Sequence, residues 1–371
     1  MRLGSFNVEN MFDRAKAMNM DSWAQGRPAL EAHAELNRLF NLPVYGDADK
    51  QRMLKLLGDH GLLKTDDGPL LLLRKLRGKL LDRPRSGPVT VAAGGRDDWI
   101  GWVELKSEAV RESATENTAR VIGAIDVDIL GVVEAEDRTT LRLFNEKLLP
   151  AVGAKPYEHV MLIDGNDDRG IDVGLLTRSK YPILSIRSHV DDSDDKGTIF
   201  SRDCAEYQID LPGSNRHLWV LVNHLKSKGY GKASDSDAKR LRQAARIRKL
   251  VDAHLSAGHD YVAVLGDFND TPDSAPLAPL LAQGSKLRDV STFAGFDDGG
   301  RPGTHGNCTA SARLDYILLS PKLFATVQSA GFERRGMWGG KNGTLWPHFP
   351  ELKSDKDAAS DHAALWVELQ V

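Results

Sequence analysis

Beyond Glu116 the sequence alternates apolar, β-branched runs of strand length with amphipathic runs of helical period. That alternation prescribes layers of sheet and helix, an α/β fold. "DILGVVEAED", "IDVGLLTR", "HLWVLVNHLKSK", "YVAVLGDFND", "ARLDYILLS" and "SDHAALWVELQV" read as strands. "TENTARVIGAI" reads as a helix capped by Thr115. "SDAKRLRQAARIRKLVDAHL" reads as a helix with Leu241, Ala244, Ile247, Val251 and Leu255 on one side. At the N-terminus, "MRLGSFNVEN" puts Leu3, Ser5, Asn7 and Glu9 on one strand face and Gly4, Phe6 and Val8 on the other.

The strand ends carry the chemistry. Asn7 and Glu9 close the first strand, Glu134 and Glu136 follow "ILGVV", and His224 follows "LWVLVN". Asp267 and Asn269 follow "YVAVL", and Asp361 and His362 precede "AALWVEL". If that last strand runs antiparallel to its neighbours, all of these side chains gather on one rim, where catalytic groups collect. Carboxylates with an amide oxygen suit Mg²⁺ or Mn²⁺. Histidines beside them add proton transfer and hydrogen-bond donors for a charged transition state. Together these are the parts for metal-assisted phosphoester hydrolysis. Each element taken singly also fits a structural role: an Asx turn for "GDFND", a buried amide for Asn7, a surface carboxylate for Glu134. Their joint occurrence at strand ends favours a site.

Residues 13 to about 113 interrupt this pattern. About a hundred residues is too long for a structureless loop, so the segment is expected to fold as a mostly helical subdomain with a hairpin, beside the rim. "RPALEAHAELNRLF" and "DADKQRMLKLLGDHGLL" have helical period, the second capped by Asp47, and "VTVAAGGRDDWIGWVEL" predicts a hairpin turning at its two glycines. "RKLRGKLLDRPR" carries six basic residues and one acid. It fits either a grip on a phosphate backbone or a solvated helix face. Arg242, Arg246 and Lys249 are read as a solvated basic stripe, and "DDSDDKG" as a solvated acidic loop.

The formal net charge of −3 excludes a global field that attracts nucleic acid, so such a partner needs local basic patches. No apolar run is long enough to span a membrane, and no secretory signal opens the sequence, so a cytoplasmic location without a membrane partner is expected. The two cysteines, Cys204 and Cys308, are expected to be free and reduced.

"SFNVEN", "VVEAE", "RGIDVGLL", "VNHLKSK", "GDFND", "RLDYILLS" and "SDHAAL" occur in the order of the endonuclease/exonuclease/phosphatase superfamily, which includes deoxyribonuclease I and the exonuclease III-type nucleases. The chain resembles that group from Met1 to about Phe12 and from about Ser113 to Val371. "RGIDVGLL" with "NHLKSKGYG" looks most like its bacterial nuclease-like branch. The resemblance implies one catalytic domain over 1–371 with the insertion inside it. The implied fold is a four-layer α/β sandwich, two packed mixed sheets flanked by helices. It assigns Glu134 as principal metal ligand, with Asn7 and Asp361 nearby, for Mg²⁺ or Mn²⁺. It makes Asp267 the group that handles the attacking water, Asn269 a holder of a phosphate oxygen, and His362 the essential histidine. Asp315 orients His362, and His224 is the second histidine. Arg169, Asp172, Arg202, Lys226 and Lys228 are softer matches for substrate-phosphate contacts. Relatives often carry an aromatic after the position of Thr304; here His305 stands there and is read as an exposed loop residue.

The expected activity is metal-dependent hydrolysis of DNA, and of RNA as a further substrate, with low sequence specificity and no obligate protein partner. A phosphatase or phosphodiesterase for a small molecule or lipid headgroup is the alternative. An inactive nucleic-acid-binding module is disfavoured by the complete set of rim residues.

Overall fold

The computed structural model describes every residue except 21, 168, 214–215 and 229–231, and these include the "GYG" of "NHLKSKGYG". It divides into two compact units. One comprises Met1–Phe12, Val110–Lys228 and Lys232–Val371; the other contains the insertion Asp13–Ala109.

The first unit is built on two mixed sheets. The seven-stranded sheet runs in the order Phe296–Asp297, Val327–Glu333, Ala364–Leu369, Arg2–Asn7, Ile129–Ala135, Asp172–Thr177, His159–Ile163. The six-stranded sheet runs Ile183–Arg187, Cys204–Asp210, His217–His224, Val262–Asp267, Asp315–Leu319, Arg288–Asp289. Ala364–Leu369 is antiparallel to Arg2–Asn7, with Ser5 opposite Leu365. Asp361 and His362 therefore lie at the edge where Asn7 ends.

The period-2 pattern assigns the layers. Leu3 joins Ile129, Val133, Val220 and Leu265 in the apolar layer between the sheets. Phe6 and Val8 face the other way, against Ile122 and Ile125 of the helix Glu112–Ile125. The helix Ala233–Ser256 covers the second sheet through Ala244, Ile247 and Val251, packed on Leu221, Val264 and Leu318. The order is helix, sheet, sheet, helix, four layers as expected. Each fully buried Leu or Val contributes on the order of 1.5–3 kcal/mol.

Several local expectations are corrected. Leu241 is 44% exposed, so the apolar buried stripe of its helix begins at Ala244, after the buried polar residues Ser236, Arg240 and Gln243. The Glu112–Ile125 helix starts three residues before Thr115, whose hydroxyl donates to the Met11 carbonyl at 2.7 Å and ties the first strand's exit to the helix. The acidic stretch forms a small ladder, Ser193–Asp194 with Gly197–Thr198. Asp192 accepts from Arg246 at 2.6 Å, and Asp194 pairs with Arg242. These two arginines and the acidic loop neutralise each other rather than facing solvent separately. Both cysteines are buried and free.

The insertion packs the helices Trp23–Phe40 and Asp47–Asp59 around Leu36, Phe40, Leu57, Leu71, Trp99 and Val103. Phe40 meets Trp99 edge to face at 4.8 Å. Gly46, not Asp47, caps the second helix, its N–H donating to Asp49 Oδ2 at 3.0 Å. The basic segment is no helix: Leu71–Gly78 is a strand, antiparallel to Trp99–Leu105. The two glycines do not turn a hairpin. Thr90–Val91 pairs instead with Leu81–Asp82, because Trp99–Leu105 has a longer apolar partner in Leu71–Leu73. No helix among the described residues is long and apolar enough to cross a membrane.

Candidate active site

Sheet register sets the site before any side-chain detail. His224 lies opposite Asp267 across a parallel ladder, and Asp267 lies opposite Asp315 across an antiparallel one. Three functional side chains thus form one row at the end of the six-stranded sheet. In the other sheet Asn7 lies opposite Val133. The next residue, Glu134, has no partner: Ala135 pairs with Asp172 and Val133 with Val173. Glu134 is the extra residue of a β-bulge with φ 64°. A bulge re-aims its side chain out of the ladder, and the left-handed backbone costs about 1–2 kcal/mol in a non-glycine residue. Glu134 Oε1 ends 3.5 Å from His224 Nε2, which is 3.7 Å from Asp267 Oδ2.

Asp267 is 2% exposed. It accepts from the Asn269 backbone N–H at 2.8 Å, from Asn269 Nδ2 at 3.2 Å and from Asn7 Nδ2 at 3.3 Å. Asn269 also has a left-handed backbone, φ 54°, which closes this turn. Burial, then the neighbouring Asp315 carboxylate, still push the Asp267 carboxyl up to about 7.

His362 Nδ1 lies 2.7 Å from Asp315 Oδ2. That hydrogen bond assigns the proton to Nδ1 and turns Nε2 toward the centre, 3.9 Å from Asp267 Oδ2. Burial disfavours the charged ring, but Asp315 and Asp361 outweigh it and raise the His362 pKa well above the usual histidine range. Asp315 Oδ1 has no hydrogen-bond partner among the described residues. The Ser360 hydroxyl accepts from His362 N–H at 2.9 Å and donates to the Asn7 carbonyl at 2.7 Å, joining the two strand ends. His224 is held well below the usual range, chiefly by burial and then by the nearby Arg202 and Arg169, so its imidazole is neutral.

The softer matches divide. Arg169 donates to Asp167 at 2.8 and 2.6 Å, and Arg202 to the same carboxylate at 3.1 Å. Burial opposes the Asp167 charge, but these two guanidiniums hold its carboxyl well below the usual range. Arg202 also donates to the Leu225 carbonyl at 2.8 Å, which Asn269 Nδ2 reaches at 3.2 Å. One carbonyl therefore links the cationic cluster to the centre. Burial, then Arg169 and Arg202, lower the Lys226 ammonium to about 8. Asp172 accepts from the Gly165 N–H at 2.7 Å, and burial pushes it up to about 7. Lys228 pairs with Asp270, which also binds Arg240 at 3.0 Å. Glu136 accepts the Met11 and Phe12 N–H groups at 2.9 and 2.7 Å and so anchors the loop after the first strand.

His305 lies in a loop with 40% of its side chain exposed, as the sequence suggests, yet it stands beside His362. It forms a β-bridge with His362, their rings are 4.8 Å apart, and its Nε2 is 3.0 Å from Asp361 Oδ2. Only its place after Thr304 hinted at this. Thr304 holds the loop by accepting from the Leu314 and Asp315 N–H groups at 3.0 and 3.1 Å.

Ligand atoms of Glu134, His224 and Asp267 lie within 4.8 Å of one another. The same holds for Asp267, Asp315 and His362, and for His305, Asp361 and His362. Of the three ligands the resemblance implies, Glu134 and Asp361 fall in different groups. Asn7 bridges by its amide, donating to Asp267 and accepting from the Glu9 N–H at 3.0 Å. Buried carboxylates this close repel one another, and Asp267 shows it. A divalent cation fits this donor set.

Half-buried and buried acids, two imidazoles and a cationic cluster at one rim of a double sheet define a metal-dependent phosphoesterase. Residues 107–362 match the Endonuclease/Exonuclease/phosphatase family, and the chain belongs to it. Among solved structures, the mannosyl-6-phosphatase Bt3783 of Bacteroides thetaiotaomicron is similar with TM-score 0.51 at 18% identity, over 70% of this chain and 92% of that one. An endonuclease/exonuclease/phosphatase family protein of the same organism gives TM-score 0.51 at 18% identity, over 69% and 86%. No curated protein sequence matches the chain.

Proposed function

We propose that the chain hydrolyses phosphodiester bonds of nucleic acid, DNA first and RNA second, by direct in-line attack of water. The observation that carries this is the row His224, Asp267, Asp315 with His362 docked on Asp315 and Glu134 facing it from the other sheet. Glu134, with Asn7 and Asp361 at the same rim and His224 and Asp267 converging on it, would hold Mg²⁺ or Mn²⁺. Such an ion neutralises charge on the phosphate oxygens.

The remaining work belongs to the side chains. Asp267, with its pKa near neutrality, takes the proton of the attacking water as the bond from phosphorus to the leaving oxygen breaks, and the departing alkoxide takes a proton from solvent. His362 donates from Nε2 to a phosphoryl oxygen while Asp315 holds Nδ1. Asn269 donates to a second oxygen by exchanging its hydrogen bond to the Leu225 carbonyl for one to the phosphate. Arg169 and Lys226 offer positive charge to a neighbouring phosphate of the strand, which a phosphodiester polymer supplies, while the wholly buried Arg202 holds Asp167 and the Leu225 carbonyl in place. Phosphate contacts position a strand without reading its bases, so low sequence specificity follows.

A second reading, hydrolysis of a small sugar phosphate, is favoured by the likeness to the mannosyl-6-phosphatase. The two are separated by incubating the protein with plasmid, end-labelled single and double strands, RNA and a phosphomonoester, each with Mg²⁺, Mn²⁺ or EDTA, beside His362→Ala. Metal-dependent nicking lost in the variant supports the nuclease. Silence on every nucleic acid with phosphate release from the monoester would replace it by the second reading.

A further inference from the structure

The insertion carries a surface that the catalytic centre does not use. Leu71–Gly78 is the outer strand of a two-stranded ribbon with Trp99–Leu105. Leu71 and Leu73 are buried in the insertion's core, and then every residue from Arg74 to Gly78 is exposed. The outer strand therefore runs beyond the core that anchors it. Leu76 is 72% exposed and Trp102 is 42% exposed.

Charge and register make this a built surface. Trp102 lies directly opposite Arg74. Glu104 fixes both, one oxygen accepting the indole N–H at 2.8 Å and the other accepting Arg74 Nε at 2.7 Å. The ring and the guanidinium thus share one anchor. The ladder shifts register between Lys75 and Arg77, which puts Leu76 at a bulge. Arg74, Lys79 and Arg83 pair with Glu104, Asp82 and Asp66. Lys75, Arg77 and Arg85 have no ion-pair partner among the described residues.

Charges on an edge strand also guard against strand-to-strand aggregation. That role needs the cations alone. It leaves an exposed leucine and an exposed, oriented tryptophan among them without a purpose, since apolar groups weaken such protection. An unpaired cation, Arg77, on the same face as a fixed aromatic ring suits a polyanion that also carries flat rings.

We propose that the outer face of this ribbon binds single-stranded nucleic acid. A base stacks on Trp102, a backbone phosphate lies on Arg77, which pairs with Ile100 and so shares the Trp102 face, and Leu76 packs against a sugar. This binding site belongs to the insertion's own unit, and it goes beyond the function proposed above.

The test is fluorescence anisotropy of a labelled oligothymidylate with the full chain in EDTA, so that no turnover occurs. Trp102→Ala weakens binding about 5- to 150-fold, and Trp102→Phe retains most of it. Arg77→Ala lowers the slope of log K against log salt by about 0.7, and Lys75→Ala, on the opposite face of the strand, leaves it unchanged. All of these residues are exposed, and hydrolysis of bis(p-nitrophenyl) phosphate stays at the wild-type rate. No binding at low salt, a Trp102→Ala affinity within about two-fold of wild type, capture by phosphatidylserine vesicles but not the oligonucleotide, or a parallel loss on the small diester overturns the proposal. Because binding is read without turnover, a centre that cuts no nucleic acid shows separately, in the cleavage panel.

Discussion

Gly266 stands one residue before Asp267, directly opposite Asn223 in the parallel ladder. Its φ is 128°, where an L side chain is strained. An added Cβ would lie 2.9 Å from the Asn223 carbonyl carbon and 3.1 Å from its nitrogen, and closer still to its oxygen. These are backbone atoms of a central strand and have no rotamer to change. Gly266→Ala therefore carries two costs: about 1–2 kcal/mol for the left-handed backbone, and about 1–3 kcal/mol for overpacking. Gly153→Ala is the control in the same unit, with φ 79° and nothing within 4 Å of an added Cβ. It bears the first cost only. Urea unfolding should thus place Gly266→Ala about 1–3 kcal/mol below Gly153→Ala. The clash also parts the strands that carry His224 and Asp267, and a displacement of about 1 Å can cost on the order of 100-fold in rate. Hydrolysis should fall in Gly266→Ala and not in Gly153→Ala. Equal destabilisation by the two substitutions would falsify the close-approach argument.

Other expectations follow from the site and from a buried network away from it. Asp315→Asn removes a charged hydrogen bond to His362, worth about 1.5–3 kcal/mol. It should lower kcat about 10- to 150-fold with KM little changed; an unaltered kcat rejects the orienting role. Added divalent metal should raise the Tm of the parent protein; Glu134→Gln should abolish both that rise and activity, and a retained metal-dependent shift would move the ligand elsewhere. Glu206 lies between His189 Nε2 at 3.2 Å and His254 Nε2 at 3.3 Å. Burial opposes its charge, but hydrogen bonds from the two histidines outweigh it and lower the carboxyl from 4.5 to about 2. The folded pKa lies below the unfolded one, so this stabilisation is complete above the unfolded pKa and is lost as pH falls toward the folded value. Acid unfolding should be shallower in that window for Glu206→Gln, and an identical pH profile refutes the linkage.

Much of the scaffold was legible because burial on both sides of a sheet leaves long apolar runs, and helices leave a period of 3.6. The opening strand shows it: Leu3 and Phe6 went to opposite apolar layers, as alternation requires. Errors arose where charge met charge. Asp192 and Asp194 read as solvated because their partners, Arg246 and Arg242, lie about fifty positions away along the chain. Leu71–Gly78 was open to a helical reading because its basic half has no strand alternation, and only pairing with Trp99–Leu105 makes it a ribbon.

By itself the sequence determined which side chains stand at strand ends, since local pattern places Glu134, His224, Asp267 and His362 next to apolar runs. Tertiary structure decided which of them meet. Register, not spacing, lines up His224, Asp267 and Asp315. A bulge with a left-handed backbone turns Glu134 toward His224. Two loops joined by a single bridge bring His305 to His362. These outcomes depend on pairings between residues far apart in the chain, and on strain that only the packed fold can hold.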